Sequence, residues 1–198
     1  MTEQQPVPAA TVVLARQGDA DIEVLLLLRS THLVFNGGSW VFPGGRIDPE
    51  DYPEDSKGLE YHAACQAAVR ETWEEAGVKI LPGELIHTAH WTTPPNLPRR
   101  FSTWFFVCPM TVPVEVKVDR SEILEHRWIT PEQALREYAE QKLRLPHPTR
   151  ETLTDLSRFR ALDQLIIGLA QCEVRVFPAS SPYYRPEEMG FFRAAPVI

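Results

Sequence analysis

The sequence predicts an α/β fold with helices on both sides of a sheet, and three observations predict it. Short Val-, Ile- and Leu-rich runs recur between turn signals, Ala10 to Leu14 and Ile22 to Leu28 first among them. A stretch free of Pro and internal Gly runs from Gly58 to Ala76. Further helical segments begin at Thr130 and at Thr149 or Thr152, the last running to Leu169.

In chain order, the first two runs read as strands joined at Gln17-Gly18-Asp19. Leu25-Leu26-Leu27-Leu28 is apolar on both faces, as a strand buried on both sides requires. Trp40-Val41-Phe42 is a short strand entering the Gly44-Gly45 turn. Leu85 to Trp91 and Phe101 to Val107 are strands joined by a Pro-rich loop, and His126 to Ile129 is another. Thr130 is a good N-cap, Pro131 suits the first helical position, and Gln133 sits where a capping box wants an acceptor. Cys172 to Phe177 is a last strand, and residues 180–198 form a docked tail or irregular arm.

The first helix carries the chemistry. Ala63, Ala64, Ala67 and Ala68 favour it, and Gly77 stands where a left-handed cap belongs. At about 100° per residue, Tyr61, Cys65, Val69, Trp73 and Ala76 share one arc, expected to anchor in the core. Glu71, Glu74 and Glu75 fall on the opposite arc beside Ala64, Ala67 and Ala68, where small side chains leave room for another element. Three carboxylates at i, i+3 and i+4 repel one another unless positive charge sits against them. They are either a solvated face or the oxygen ligands of a hard cation such as Mg²⁺, with Mn²⁺ a second candidate.

Composition narrows the class. A chain of 198 residues with 43% apolar content suits a single domain over residues 1–198. A net charge of −7 argues against nucleic acid as a partner, but a metal ion bridges acidic protein and acidic ligand. No run of 18 apolar residues exists, so no membrane partner is expected. Cys65, Cys108 and Cys172 form no zinc pattern and suggest a reducing compartment, and Cys65 is expected in the helix core. The N-terminus lacks a secretory pattern, and Ala195-Pro196-Val197-Ile198 is not the Ser-Lys-Leu address. A cytoplasmic location is therefore expected.

Arg70-Glu71-Thr72-Trp73-Glu74-Glu75-Ala76-Gly77-Val78, with Phe42-Pro43-Gly44-Gly45 upstream, resembles the signature of the Nudix hydrolases, G-x5-E-x7-R-E-U-x-E-E-x-G-U with U apolar. Thr72 takes the first of the late U positions. Gly45 to Arg70 spans 25 residues where the signature has 14, so 11 extra residues intervene, within Asp48 to Gly58. Counting back eight from Arg70 puts the signature's early Glu on His62, with Glu60 nearby but out of register.

The resemblance implies the Nudix fold, an α/β/α sandwich with a mixed central β-sheet. It implies a Mg²⁺-dependent pyrophosphohydrolase whose partner is a small nucleoside diphosphate derivative. It assigns Glu71, Glu74 and Glu75 to the metal, Glu74 and Glu75 also to catalysis, and Arg70 to orienting a glutamate through an ion pair. Gly44 and Gly45 form the tight turn at the substrate side. Family members often take a general base from a distant loop; Ser121 to Trp128 offers Glu122 and Glu125, with Glu122 preferred and Glu75 a competitor. The bland reading of Glu122 and Glu125 is surface charge flanking a strand.

Leu27-Leu28-Arg29-Ser30, Gly38 and Phe42-Pro43-Gly44-Gly45 resemble the element of coenzyme A-cleaving Nudix enzymes, L-L-T-x-R-S-x3-R-x3-G-x3-F-P-G-G. Val34 replaces its second Arg and Leu27 its Thr. Trp91 to Pro94, Pro98 to Phe101 and Trp128 to Pro131 are similar to the coenzyme A diphosphatases of the Nudix-19 type, which also carry an insertion in the signature. Hydrolysis of CoA or acyl-CoA to 3′,5′-ADP and 4′-phosphopantetheine products is implied, with Arg29, Arg99 and Arg100 as substrate contacts. Guanidinium suits phosphate geometry; the alternative for Arg99 and Arg100 is a solvated loop. ADP-ribose, NADH or another nucleoside diphosphate derivative is the alternative substrate, and a non-catalytic ligand-sensing module the alternative class. The aromatic tail, Pro182-Tyr183-Tyr184-Arg185 to Phe191-Phe192-Arg193, builds a homodimer contact, covers the site or packs on its own domain.

Overall fold

Two strands that meet and then part create the architecture. In the computed structural model, which describes residues 4–33 and 36–192, β1 (Val7–Gln17) and β2 (Ile22–Arg29) pair antiparallel only beside their turn, at Ala15↔Val24, Arg16↔Glu23 and Gln17↔Ile22. Beyond that they diverge. The chain segment β3 (Trp40–Val41) and β4 (Gly44–Arg46) enters between them. β3 pairs with β2 at Leu27↔Val41 and Leu28↔Trp40, and β4 pairs with β1 at Ala9↔Arg46, Ala10↔Gly45 and Thr11↔Gly44. Every buried main-chain group needs a partner, and this wedge supplies partners to both edges of the split.

The remaining strands extend the sheet outward. β6 (Phe101–Met110) lies parallel to β1, β5 (Ile86–Thr92) antiparallel to β6, and β8 (Arg175–Phe177) parallel to β5. β7 (Ile123–Ile129) pairs antiparallel with β2. The result is an eight-stranded mixed sheet in the order β3-β2-β1-β6-β5-β8, with β4 on β1 and β7 on β2.

Alternation along the strands sorts the core into two layers. Ala10, Val12, Leu14, Leu25, Leu27, Trp104 and Phe106 face α1 (Glu60–Ala76). Val13, Ala15, Val24, Leu26, Phe105 and Val107 face α2 (Pro131–Ala139), α3 (His147–Leu156) and α4 (Leu162–Gln171). This is the α/β/α sandwich with a mixed central sheet. Leu25, Leu26 and Leu27 are buried, as a central strand demands. No helix among the described residues is long and apolar enough to cross a membrane.

Three expectations change. The buried surface of α1 is wider than expected: Cys65 and Ala76 are buried and Tyr61 and Val69 pack on the core, but Ala64, Ala67, Ala68, Thr72 and Glu75 are buried too, whereas Trp73 is 51% exposed and lies under the Lys79 ammonium. Small side chains let a helix approach a sheet closely, and that proximity outweighs the hydrophobicity of a large indole. Thr72 tolerates its buried position because its hydroxyl bonds the Ala68 carbonyl at 2.6 Å. The helix expected to run to Leu169 is two helices. α3 ends at Leu156, and the chain turns so that the Phe159 ring packs against Gly168 of α4; a Cβ there would fall 2.4 Å from the ring. At α2, the Thr130 hydroxyl accepts from the Gln133 N–H, but the Gln133 amide donates to Glu137 instead of closing a capping box.

The arm is docked where it is described. Tyr184, Met189 and Phe191 pack on the α1-side core. The Met189 carbonyl accepts from the Tyr61 N–H at 3.0 Å, serving the first turn of α1, whose N-cap is Leu59. Arg193 lies outside the described residues.

Candidate active site

The last two turns of α1 end at the split between β1 and β2. Gly77 caps the helix with φ 65°, donating its N–H to the Trp73 carbonyl at 2.9 Å. This sets Glu71 and Glu75 against the turn of β4, with Glu74 exposed beside them. Glu75, only 9% exposed, accepts from the Gly44 N–H at 3.0 Å and meets Arg29 Nη1 at 3.4 Å. Glu71 lies directly against Gly45: a Cβ at that position would fall 2.1 Å from Glu71 Oε1. At Gly44 a Cβ would fall 2.4 Å from the Ala10 carbonyl oxygen. Both glycines are thus fixed by close approach, one by the β1 backbone and the other by a carboxylate.

Arg70 binds the cluster from the outside. Its Nη1 donates to Glu71 at 2.9 Å and to Glu74 at 3.0 Å, and its Nη2 donates to the Arg46 carbonyl at 3.0 Å. The other side of the guanidinium forks onto Asp51, Nε to Oδ1 at 3.0 Å and Nη2 to Oδ2 at 2.9 Å. Asp51 stands six residues after Gly45, at the early-acid position of the signature, and the extra residues follow it; this segment forms two short 3₁₀ turns, Pro49–Asp51 and Glu54–Ser56.

Acid outweighs base here. Burial, with Glu71 and Glu122 as neighbouring charges, pushes the Glu75 carboxyl up to about 8 against the pull of the Gly44 N–H and Arg29. Burial likewise raises Glu71, although Arg70 opposes the shift. Such a set of oxygen donors, short of positive charge, fits a hard divalent cation by chemistry. The carboxylates are not gathered into a ready-made cage: among the described residues, no three His, Cys, Asp or Glu side chains converge that way. Arg70 holds Glu71 and Glu74, while Gly44 and Arg29 hold Glu75.

Glu122 comes from the other side of the split. It is 60% exposed, 4.0 Å from Arg29 Nη2, and its backbone is tied down by the Ser30 N–H on its carbonyl and by Asp119 on its own N–H. Arg29 thus stands between Glu75 and Glu122, and its buried Nε has no hydrogen-bond partner among the described residues. Glu125 pairs in β7 opposite Leu28. Arg99 is exposed in the loop before β6. Arg100 is only 4% exposed and donates to the carbonyls of Thr93 and Gln4, with Tyr183 over its guanidinium. It is built into the strand entrance, so the pair of arginines does not act as one clamp.

Sequence reasoning missed Asp51 and the Gly44 N–H. The signal for Asp51 was the forward count: six residues after Gly45, as G-x5-E requires, the chain carries Asp51, whereas His62, reached by counting back from Arg70, is exposed. Glu60, the out-of-register candidate, instead accepts from Trp104 Nε1 at 2.8 Å.

A helix bearing three glutamates against a diglycine turn, inside an α/β/α sandwich, defines a class. The chain belongs to the Nudix family: a NUDIX domain model matches residues 5–149. Among curated proteins it is similar to putative nudix hydrolase 7 of Caenorhabditis elegans, 31% identical over 78% of this chain and 62% of that protein. It is also similar to the human acyl-coenzyme A diphosphatase NUDT19, 31% identical over 72% of this chain and 62% of that protein. The chain therefore spans about three fifths of the length of these relatives. Among solved structures, a NUDIX hydrolase from Alicyclobacillus acidocaldarius matches the fold with a TM-score of 0.71 and 24% identity, over 82% of this chain and 96% of that one.

Proposed function

We propose that the protein is a divalent-cation-dependent pyrophosphohydrolase that cleaves the diphosphate link of a nucleoside diphosphate derivative, CoA or acyl-CoA before others. The observation that carries this is the under-neutralised carboxylate cluster beside the Gly44-Gly45 turn, in which Glu75 and Glu71 are shielded from solvent and Glu74 is exposed at its rim.

In this reading Glu71, Glu74 and Glu75 hold Mg²⁺ or Mn²⁺. Such an ion, when bound, polarises phosphoryl oxygens and acidifies a water. Arg70 keeps the glutamates in place. Glu122 accepts the proton of the attacking water; that oxygen bonds to phosphorus, the anhydride P–O bond breaks, and a phosphate monoester leaves. A positioned base of this kind is worth roughly 10²–10⁴ in rate. Glu75 is the other carboxylate able to take that proton. Arg29, whose Nη1 and Nη2 lie beside Glu75 and Glu122, is the cation this reading assigns to the developing charge.

The coenzyme A preference is supported by the Arg29, Ser30, Gly38 and Phe42-Pro43-Gly44-Gly45 pattern and by the name of the human relative. Arg99 is the remaining candidate for an outer phosphate. The test is a panel of CoA, acetyl-CoA, ADP-ribose, NADH and diadenosine polyphosphates with Mg²⁺ or Mn²⁺, products read by mass spectrometry. The expected products are 3′,5′-ADP and the matching 4′-phosphopantetheine. Faster turnover of ADP-ribose or NADH than of any CoA compound would reject the substrate assignment. Binding without turnover across the whole panel would reject catalysis.

A further inference from the structure

We propose that Asp119 is a positioning residue for the hydrolysis and acts through Glu122, whose reach into the site it sets. The inference rests on the reading of Glu122 as the group that takes the proton of the attacking water.

The side chain of Glu122 does little to hold itself. It is 60% exposed, and its ion-pair partner, Arg29 Nη2, stands 4.0 Å away. Where its carboxylate falls is therefore decided by the backbone that carries it, and that backbone is gathered onto one acid. Asp119 Oδ2 accepts from the N–H groups of Ser121 at 3.2 Å and Glu122 at 2.9 Å and from the Ser121 hydroxyl. Oδ1 accepts from the Ile123 N–H at 2.8 Å. Consecutive N–H groups turned to one point form an anion-binding concavity, and here a side chain of the same loop fills it. Burial works the other way, but the hydrogen bonds from Glu122, Ser121 and Ile123 hold the Asp119 carboxyl below its usual value, so the acceptor is ionised at neutral pH.

The turn is not one the chain adopts unaided. Arg120 has φ 60°, a left-handed conformation that a residue with a Cβ keeps only where its surroundings impose it. Both ends of the loop are anchored to the site. The Lys117 N–H donates to the Ala76 carbonyl at 2.8 Å, one residue beyond Glu75. The Ser30 N–H, next to Arg29, donates to the Glu122 carbonyl at 2.7 Å. Asp119 lies between these anchors and closes the turn, so it links the end of the glutamate helix to the segment bearing Glu122. Without its carboxylate, three N–H groups lose their common acceptor and the backbone spreads over more conformations. Glu122 then meets the attacking water in the wrong place most of the time.

The experiment is a double-mutant cycle in kcat on the full chain: unaltered, Asp119→Ala, Glu122→Gln and the two together. The substrate is whichever of CoA, acetyl-CoA, ADP-ribose, NADH and the diadenosine polyphosphates turns over fastest with Mg²⁺. Asp119→Ala should lower kcat about 10- to 100-fold, the scale of a small misplacement at a reacting centre. KM and the Mn²⁺ Kd from calorimetry should stay within about twofold, because Glu71, Glu74 and Glu75 belong to α1 and are untouched. In the Glu122→Gln background the same substitution should cost no more than about twofold, since nothing is left to position. Asp163→Ala removes another exposed carboxylate that accepts a backbone N–H, that of Gln164 in α4 of the opposite layer, and should leave kcat within about twofold. A kcat for Asp119→Ala within about twofold of the unaltered chain overturns the proposal, as do losses that multiply in full across the cycle, a Mn²⁺ affinity that falls as far as kcat, or an equal loss in Asp163→Ala. If Asp119→Ala does not fold, Asp119→Asn, which keeps one uncharged acceptor in place of two charged oxygens, is put through the same cycle under the same criteria. An unchanged kcat in Glu122→Gln overturns the base reading, and this inference with it. No turnover of any panel compound by the unaltered chain overturns both together with catalysis.

Discussion

At the scale of single residues, Glu75 is the group under most electrostatic tension. Its folded-state carboxyl, at about 8, lies above the ordinary value of 4.5, chiefly because it is buried. A carboxyl raised in the folded state contributes its stability below the unfolded value and loses it as pH climbs through the folded one. Without divalent cation, stability should fall between about pH 5 and 8, by up to about 5 kcal/mol. Glu75→Gln should flatten that slope. Urea melts in EDTA at several pH values measure it; a pH slope unchanged by the substitution would show that Glu75 is not the titrating group. Mn²⁺ should stabilise the unaltered chain more at pH 8 than at pH 6, since the ion favours the ionised carboxylate.

Among the elements, the contact between the β4 turn and α1 decides the site. Glycine at 45 is what lets the Glu71 carboxylate lie against the turn: a Cβ there would fall 2.1 Å from Oε1, so any other residue makes that flexible carboxylate swing aside. Gly45→Ala should therefore keep the fold at a cost of about 1–3 kcal/mol while displacing Glu71 and weakening Mn²⁺ binding. Circular dichroism and calorimetry read the two effects separately. An intact Mn²⁺ affinity would mean that Glu71 moves aside without consequence for the cation. The helix face teaches the same point about periodicity. The glutamate register was legible because Arg70, Glu71, Glu74, Glu75 and Gly77 are close in sequence. How far round α1 the burial extends, and that Trp73 falls outside it, was not, because both depend on how closely the sheet approaches the alanines.

Over the whole molecule, the arm and the loop carrying Asp51 tie distant parts of the chain to one helix. The arm packs Phe191 at 5.0 Å from the Tyr61 ring and 4.9 Å from His87, and stacks Tyr184 on His90 at 4.6 Å. His90 is buried and its imidazole is pushed down to about 3, chiefly by burial, so it stays neutral in this aromatic layer. Removing the residues after Ser180 should cost a few kcal/mol, because Tyr184, Met189 and Phe191 are partly buried on the core and full burial of such a side chain is worth roughly 1.5–3 kcal/mol. Loss of the Met189 carbonyl also leaves the Tyr61 N–H without that partner. Chemical denaturation measures the loss, and light scattering on the same sample reports any change of mass. A truncated chain with unaltered stability would contradict the packing role.

What the sequence determined by itself is the set of features that neighbours in the chain decide. These are the strand alternation around Leu25 to Leu28, the Gly77 cap, the family signature and the three glutamates within one helical stretch. Tertiary structure alone decided the pairings across long separations: Asp51 on Arg70, Glu75 on the Gly44 N–H, Glu122 beside Arg29, and Arg100 on the Gln4 carbonyl. The physical reason is that propensity and periodicity act over a few residues. Whether a charged group faces solvent, a backbone carbonyl or another charge depends on which segments the folded sheet brings within about 3 Å of it.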